Sequence, residues 1–340
     1  MTTIAVLGVS HIHITGFTKM LQARSDIKVK SVWDPNPVRA KFWAEQLNAT
    51  VVADEKTVYS DAEVQAVVIC SETNRHAELV EGVAAAKKHL FVEKPLGMAA
   101  ADAYRMADAI EKAGVIFQTG YFQRGAANVQ FLKQQIDKGA FGKITRVRGS
   151  NCHSGALGGW FDAKPDDVPH EWLWMTDTKQ SGVGAFGDLG THSLDILIWL
   201  FGEIDTATAQ LDNGTNRYGC DEAGEGLIRF KSGIIGTLAA SWVDTTDPLS
   251  YQITGTEGHA AIIKGQLFFS TKHDAKYDGK QPVDPADMPK GLPHAFELFL
   301  DAITGKKDLP LVKPRDAAYR SAVMEAMYEG ARTNAWVKPK

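Results

Sequence analysis

Short apolar runs alternate with helix-like segments through the first third of the chain. The apolar runs cover residues 4–7, 27–33, 50–52, 66–70, 90–92 and 116–119. The helix-like segments between them cover residues 15–23, 37–47, 57–60, 75–87 and 99–113. Strands joined by helical crossovers predict a parallel sheet covered by helices on both faces, since antiparallel strands would need tight turns.

The pattern changes after about residue 120. Helix-like segments at 128–138 and 191–201 and an apolar run at 144–150 lead into strand-like runs at 204–211, 225–230, 234–242, 250–254 and 258–263. Turn signals such as Asn213-Gly214 separate these runs and predict an open, mostly antiparallel sheet. Two further helices are predicted near the end of the chain, over residues 292–304 and 315–333, and residues 274–290 are predicted to form a surface loop.

Length and composition favour two domains with ordinary cores. The chain has 340 residues, 44% of them hydrophobic and 23% charged. We expect a doubly wound α/β domain over residues 1–121 and an α+β domain over 122–340, whose last helix is free to pack back toward the first domain. The net charge of -4 argues against nucleic acid or an anionic membrane as a partner.

The three cysteines, Cys70, Cys152 and Cys220, form no Cys-x-x-Cys pair, so neither a disulfide framework nor a structural zinc site is indicated. A reducing compartment fits them. The N-terminus shows no signal-peptide pattern, and no apolar stretch approaches the ~20 residues that span a bilayer. We therefore expect a cytoplasmic protein.

A glycine turn follows the first predicted strand. Gly8, Ser10 and His13 stand where the pattern G-x-G-x-x-G has its three glycines, so the match is partial. A turn of this kind presents backbone amides and a helix N-terminus to a pyrophosphate, as in Rossmann domains. Ser10 adds a hydroxyl that could bind a phosphate, while His13 should push the helix slightly away from the strand.

Asp34 ends the second predicted strand, where an acid accepts hydrogen bonds from a ribose. No Arg or Lys adjoins it to neutralise a 2′-phosphate, so NAD is favoured over NADP. The alternative is that Asp34 only caps the next helix or forms a turn before Pro35.

Two elements offer acid–base groups. Lys94, in Glu93-Lys94-Pro95, follows a strand at the carboxyl edge of the sheet and could relay a proton, or it could be an ordinary surface lysine paired with Glu93. Asp188 and His192 are four residues apart and share a helix face if the helix begins by Asp188. Alternatively, Asp188 caps the helix and His192 is a core residue. The scattered histidines show no local ligand motif, so we expect no metal.

The glycine turn, Glu93-Lys94-Pro95 and Gly187-Asp188-Leu189-Gly190-Thr191-His192 together resemble the Gfo/Idh/MocA family of sugar and inositol oxidoreductases over nearly the whole chain. The resemblance implies that Lys94 is catalytic, with Asp188 and His192 around the reacting carbon. It also implies a homodimer or homotetramer. Cofactor-lining positions implied by the resemblance are Gly8, Ser10, His11, Asp34, Ser71, Thr73, His76 and Glu93.

The hypothesis is an NAD-dependent dehydrogenase acting on a CH–OH carbon of a sugar, glycoside or inositol-like polyol. Residues predicted to border the substrate are Tyr121, Arg124, His153 and Trp160. Two alternatives stay open: an NAD-dependent redox glycosidase that recycles its cofactor, and a sugar or nucleotide sensor without catalysis. The histidines of the phosphate turn, His11 and His13, either shift the pyrophosphate or pack against the helix.

Overall fold

The structure is a computed structural model that describes residues 1–164 and 166–340. Its helices are α1 (Ile14–Gln22), α2 (Pro37–Gln46), α3 (Lys56–Ser60), α4 (His76–Ala85), α5 (Ala100–Ala113), α6 (Ala127–Asp137), α7 (Thr178–Ser181), α8 (Ala185–Phe201), α9 (Ala295–Ile303) and α10 (Pro314–Thr333). Short 3-10 turns lie at Thr73–Arg75, Phe122–Gly125, Val168–His170, Leu173–Thr176 and Pro285–Asp287. In the described part of the chain, no helix is both long and apolar enough to cross a bilayer.

The strands form two sheets. They are β1 (Thr2–Val9), β2 (Ile27–Trp33), β3 (Thr50–Val51), β4 (Ala66–Cys70), β5 (His89–Val92), β6 (Phe117–Thr119), β7 (Ile144–Cys152), β8 (Ile204–Asp212), β9 (Ala223–Phe230), β10 (Ile235–Ser241), β11 (Leu249–Gly255), β12 (Gly258–Ile263), β13 (Gln266–Thr271) and β14 (Asp278–Pro282). The first sheet has the order β3-β2-β1-β4-β5-β6 and is parallel throughout. This confirms the predicted doubly wound arrangement.

The second sheet has eight strands in the order β14-β13-β12-β11-β7-β10-β9-β8. Only β7 and β10 pair in parallel, so the predicted open and mostly antiparallel sheet is confirmed. The prediction missed β13, and it was wrong to treat residues 274–290 wholly as a loop, since β14 lies within that segment. A short, polar edge strand has no apolar alternation that could reveal it.

The chain divides into two compact units. The first comprises Met1–Gly120, Trp160–Gly182 and His294–Ser321; the second comprises Tyr121–Gly159, Val183–Pro293 and Ala322–Lys340. The first unit thus takes in two segments from beyond residue 121, the boundary expected from sequence. One of them supplies α9, whose Phe296 stacks on Phe17 with ring centroids 4.3 Å apart and meets Phe91 at 4.9 Å. These aromatic rings close the core against the parallel sheet.

In the second unit, α8 lies across β7, β9 and β10. Nearly all its side chains are buried, which explains why its apolar residues do not follow a single stripe. Close approach to the sheet depends on small residues: a Cβ added at Gly149 would lie 3.2 Å from Leu197, and one at Gly190 would lie 3.4 Å from the Ala240 Cβ. The sheet thereby holds one face of α8 firmly.

Candidate active site

The turn after β1 is built around Gly8. Its φ is +76°, a conformation that disfavours side chains, and an added Cβ would lie 2.2 Å from the Ser71 Cβ. The turn is fixed to the neighbouring strand because the His11 amide donates to the Cys70 carbonyl at 3.1 Å. Gly8 and Ser71 therefore meet at the carboxyl edge of β1 and β4, where open α/β sheets bind ligands.

Two buried polar atoms at this edge lack a partner among residues 1–164 and 166–340: the Ser10 hydroxyl and His76 Nε2. His76 Nδ1 lies 3.2 and 3.1 Å from the Pro95 and Leu96 carbonyls, so Nδ1 carries the proton and Nε2 accepts. Burial lowers the pKa of His76, which favours this neutral form. A hydroxyl donor and an imidazole acceptor at the carboxyl edge of the sheet are groups that could bind a dinucleotide.

Asp34 is held at the end of β2 by three donors. Its Oδ2 accepts from the Val9 amide at 2.8 Å, and its Oδ1 accepts from the Asn36 amide at 2.8 Å and from Arg39 Nε at 3.0 Å. Burial raises the pKa of Asp34, while these donors favour the carboxylate. Asn36, not Asp34, caps α2, so the capping alternative is wrong, although the Asp34 side chain does turn back to the Asn36 amide.

Sequence reasoning missed Arg39. It is 6% exposed and bridges Asp34 and Glu72, with a 2.9 Å contact to each carboxylate. No basic residue adjoins Asp34 in sequence, but Arg39 reaches it from the first turn of α2. The one signal in the sequence was an arginine on the face of α2 that the apolar pattern predicts to be buried. Two carboxylates against one guanidinium disfavour a 2′-phosphate at this edge.

Ser71 and Thr73 are buried at the same edge, 0% and 3% exposed. The Ser71 hydroxyl donates to the Glu72 carbonyl at 3.1 Å, and Thr73 begins the 3-10 turn Thr73–Arg75. Ser71 stands directly beside Gly8, and Thr73 lies two residues further along the chain. Their role in cofactor binding stays a prediction.

Glu93 and Lys94 are buried, at 0% and 3% exposure, so an ordinary surface lysine beside a solvated carboxylate is excluded. Glu93 Oε1 lies 3.0 Å from His13 Nδ1, and Glu93 Oε2 accepts from the Lys94 amide at 3.0 Å. Burial alone would raise the pKa of Glu93, but His13, His11 and Lys94 lower it well below its usual range. The Lys94–Pro95 peptide bond is cis.

Asp188 and His192 lie on α8, which begins at Ala185, six residues before the predicted start. Glycine is needed within the first turn, because a Cβ added at Gly187 would lie 2.3 Å from the Val183 Cβ. Gly184 is the N-cap, so Asp188 is not a cap and shares a helix face with His192. Trp242 Nε1 donates to Asp188 Oδ2 at 3.2 Å.

His192 is 4% exposed and sits among aromatic rings. Its ring centroid lies 5.1 Å from that of Phe122 and 6.3 Å from that of Tyr121. The Tyr121 hydroxyl lies 3.0 Å from Thr191 Oγ1, which ties it to the same helix. The imidazole is thus enclosed, as a proton-transfer group in a restricted environment would be.

Distant residues hold the start of α8. The Asp221 carbonyl and carboxylate accept from the Ala185 and Phe186 amides at 2.9 and 2.8 Å. The Tyr328 hydroxyl accepts from the Gly184 and Gly187 amides at 3.1 and 3.0 Å and donates to Asp221 at 2.9 Å. Burial raises the pKa of Asp221. Sequence carried no signal for these contacts, because they join segments far apart in the chain.

The four predicted substrate residues are placed differently. Tyr121, Arg124 and His153 belong to the second unit, and of these Tyr121 lies beside His192. Trp160 belongs to the first unit and is 47% exposed. Arg124 Nε donates to Asp195 at 2.7 Å, which gives it a structural ion pair. His153 Nδ1 accepts from the Gly155 amide at 2.9 Å within its own turn. Their contact with substrate stays a prediction.

Comparison with known proteins agrees with this geometry. Residues 2–121 match the family model described as an oxidoreductase family with an NAD-binding Rossmann fold, and residues 129–261 match the GFO/IDH/MocA C-terminal domain. Together these segments cover most of the chain. The buried Ser10 hydroxyl and His76 Nε2 described above fit an NAD-binding domain.

Relatives include myo-inositol 2-dehydrogenase of Thermotoga maritima, 29% identical over 69% of this chain and 67% of that protein. Another is scyllo-inositol 2-dehydrogenase (NAD(+)) of Bacillus subtilis, 28% identical over 76% of this chain and 72% of that protein. The fold matches a levoglucosan dehydrogenase in complex with NADH and levoglucosan, with a TM-score of 0.83, 21% identity and 99% of each chain covered. The chain belongs to the GFO/IDH/MocA family of NAD-binding oxidoreductases.

Proposed function

We propose that this protein is a dehydrogenase that transfers a hydride between NAD(H) and a CH–OH carbon of a sugar, glycoside or inositol-like polyol, with Lys94, Asp188 and His192 moving the proton. The observation that carries the proposal is the Asp188–His192 pair on one face of α8, with Asp188 oriented by Trp242. The relatives' names, inositol dehydrogenases among them, support this substrate class.

The residues divide the work between binding and proton transfer. NAD+ supplies the hydride acceptor. Asp34 accepts hydrogen bonds from the adenosine ribose, and Ser10 donates to a phosphate oxygen. A base must take the hydroxyl proton as the carbinol carbon is oxidised, and an imidazole nitrogen of His192 accepts it.

Asp188 favours the protonated imidazole that results and holds a neighbouring substrate hydroxyl. Lys94 donates a hydrogen bond to the substrate oxygen and stabilises the negative charge that develops there. A buried ammonium does this more strongly than an exposed one, because water screens it less. In the direction of reduction, His192 returns the proton to the carbonyl oxygen.

The test is formation of NADH at 340 nm, with NAD+ and a panel of inositols, free hexoses, glycosides and anhydrosugars, repeated with NADP+. The proposal predicts turnover of at least one panel member with NAD+ and a lower rate with NADP+. If the protein retains NAD yet forms no net NADH with any panel member, and a glycoside is cleaved, the redox glycosidase replaces the dehydrogenase.

The same proposal includes a homodimer or homotetramer in the cytoplasm. An exposed apolar patch supports self-association: Leu227, Ile235 and Trp336 are 45%, 52% and 52% exposed. Light scattering on wild type and Ile235→Lys tests the assembly, and an unchanged oligomer in the variant would exclude this patch. Cell fractionation tests the location, which is inferred from the dispersed cysteines.

A further inference from the structure

A cluster of three potential metal ligands lies at the turn after β1. His11 and His13 come from the turn, and Glu93 follows β5, one strand beyond β4 in the sheet. One ligand atom from each residue lies within 4.8 Å of the others. The His11 and His13 ring centroids are 4.6 Å apart, and His13 Nδ1 lies 3.0 Å from Glu93 Oε1. All three residues belong to the first unit.

The cluster is arranged before any ion binds. The His13 amide donates to His11 Nδ1 at 3.2 Å, which holds the His11 ring beside the turn. The Glu93 carboxylate is held from its other oxygen, since Oε2 accepts from the Lys94 amide at 3.0 Å. Gly120 packs against it so closely that an added Cβ would lie 2.8 Å from Oε2. Oxygen Oε1 is thereby directed at the imidazoles.

Charge explains why a cation suits this place. Glu93 is 0% exposed, and a buried carboxylate is costly unless compensating charge lies beside it. The charged or titratable groups that face it in the described part of the chain are His11, His13, Cys70, His76, Lys94 and His294.

We propose that His11, His13 and Glu93 form a binding site for a divalent transition-metal ion of the zinc class. Two imidazoles and one carboxylate are a ligand set typical of zinc, and they suit Mg²⁺ or Ca²⁺ poorly because those ions prefer oxygen ligands. Two ligands at ~2.1 Å from a tetrahedral ion lie ~3.4 Å apart, so the 3.0 Å contact between His13 Nδ1 and Glu93 Oε1 would have to open by only a few tenths of an ångström to admit the ion. Three protein ligands leave a coordination position open for water or another oxygen ligand.

This inference concerns residues at the expected cofactor edge, but its test measures metal binding rather than turnover, so its failure would leave the proposed dehydrogenase activity standing. It departs from the sequence-based expectation of no metal. That expectation rested on the absence of a local ligand motif. The third ligand comes from Glu93, eighty residues beyond His13, and only the fold brings it to the turn. The short His-x-His spacing in residues 11–13 was the one local signal available.

The test is Co²⁺ binding to the purified full-length protein after chelator treatment, followed by the visible d–d absorption of Co²⁺ and by calorimetry. The proposal predicts one equivalent bound, displaced by Zn²⁺. His13→Gln should weaken binding by at least ~10-fold. The matched control is His273→Gln. His273 lies 2.6 Å from Glu257 in an exposed His–Glu pair, and its substitution should leave Co²⁺ binding unchanged.

Equal Co²⁺ affinity in His13→Gln and wild type would overturn the assignment, as would the absence of a stoichiometric complex in wild type. Circular dichroism of each variant checks folding. A second measurement needs no variant: Zn²⁺ should protect His13, whose side chain is 31% exposed, but not His273, from diethyl pyrocarbonate, as mapped by mass spectrometry. Equal modification with and without Zn²⁺ would also contradict the site.

Discussion

The phosphate turn of the first unit and the start of α8 in the second unit are built in contrasting ways. The turn itself comes from one short stretch, residues 8–13, and the buried charges around it are paired with opposite charges from other segments, as in Asp34–Arg39–Glu72 and Glu93–His13. The start of α8 depends on Asp221, Trp242 and Tyr328, which lie far away in sequence and act through hydrogen bonds. Both regions therefore depend on contacts between distant segments, but the first uses ion pairs and the second uses neutral and charge-assisted hydrogen bonds to backbone amides.

The contrast predicts separable effects. Changes at the turn should alter which dinucleotide binds and how tightly. Changes at α8 should alter the rate of the chemical step with little effect on dinucleotide affinity, because none of the residues that hold its start lies in the first unit. Lys94 belongs to the first unit, but because its proposed role is in proton transfer, its substitution should lower the rate.

The largest expected effect is on turnover. His192→Ala removes the proposed proton acceptor, and Lys94→Ala removes the proposed donor to the substrate oxygen. Each should lower kcat by ~10²–10⁴ with NADH affinity nearly unchanged. Initial rates at 340 nm and NADH fluorescence titration measure the two quantities.

Exposed residues of the same type provide the controls for these two variants. Lys41→Ala changes a lysine whose side chain is 75% exposed. His273→Ala changes a histidine whose side chain is 56% exposed. Neither should affect kcat. A His192→Ala enzyme with wild-type kcat would remove that residue from the mechanism.

The next effect is on cofactor choice. Asp34→Ala removes the proposed ribose acceptor and leaves Arg39 paired with Glu72 alone. Loss of a charged hydrogen bond of about 1.5–3 kcal/mol should weaken NAD+ binding by ~10–100-fold, and the freed guanidinium should improve NADP+ binding. The kcat/KM ratio for NAD+ over NADP+ measures both. An unaltered ratio would mean that Asp34 only forms the turn before Pro35.

A smaller effect concerns the stability of the α8 anchor. Tyr328→Phe removes the hydroxyl that serves Asp221 and two backbone amides, so the free energy of unfolding should fall by about 1–3 kcal/mol. Urea denaturation measures this. Tyr59→Phe is the matched control, because its buried hydroxyl has no partner in the described ranges 1–164 and 166–340. Equal losses in both variants would contradict the anchoring role.

The smallest effect should come from an ion pair that involves no residue of either site. Asp301 lies 2.8 Å from Arg24 and 2.9 Å from Lys306. Burial alone would raise the pKa of Asp301, but these two partners lower it overall. A lowered pKa stabilises the fold above the unfolded value near pH 4, and this stabilisation disappears as the pH falls through the native value.

Asp301→Asn should therefore cost about 1 kcal/mol or less at pH 7, and this cost should shrink steadily as the pH falls from about 4 to about 2, with NADH affinity unchanged. Thermal unfolding across this range measures the difference. A deficit that persists at pH 2 would show that the substitution disturbs packing rather than charge.

Much of the first unit could be predicted because its signals are local. Gly8 must be glycine for the turn, and Asp34 ends a strand that the apolar pattern identifies. Glu93 and Lys94 follow another such strand. Arg39 could not be predicted as the partner of Asp34, because its direction depends on how α2 packs on the sheet.

The second unit was harder to predict. The glycine-rich segment 181–190 lowers helix propensity, so the sequence indicated a helix from residue 191, yet α8 begins at Ala185. Packing of small residues on the sheet and the anchor formed by Asp221 and Tyr328 outweigh that propensity. The edge strand β14 was missed because its residues show no apolar alternation, and its strand conformation depends on pairing with β13.

The most direct test of the account uses a substrate from the panel that is deuterated at its carbinol carbon. With NAD+ and wild-type protein, direct hydride transfer predicts that the deuterium appears in the nicotinamide ring of the reduced cofactor, as measured by mass spectrometry, and that His192→Ala forms the same product more slowly. Reduced cofactor without deuterium, or deuterium released to water, would contradict the assignment of this protein as a dehydrogenase of the substrate's CH–OH group.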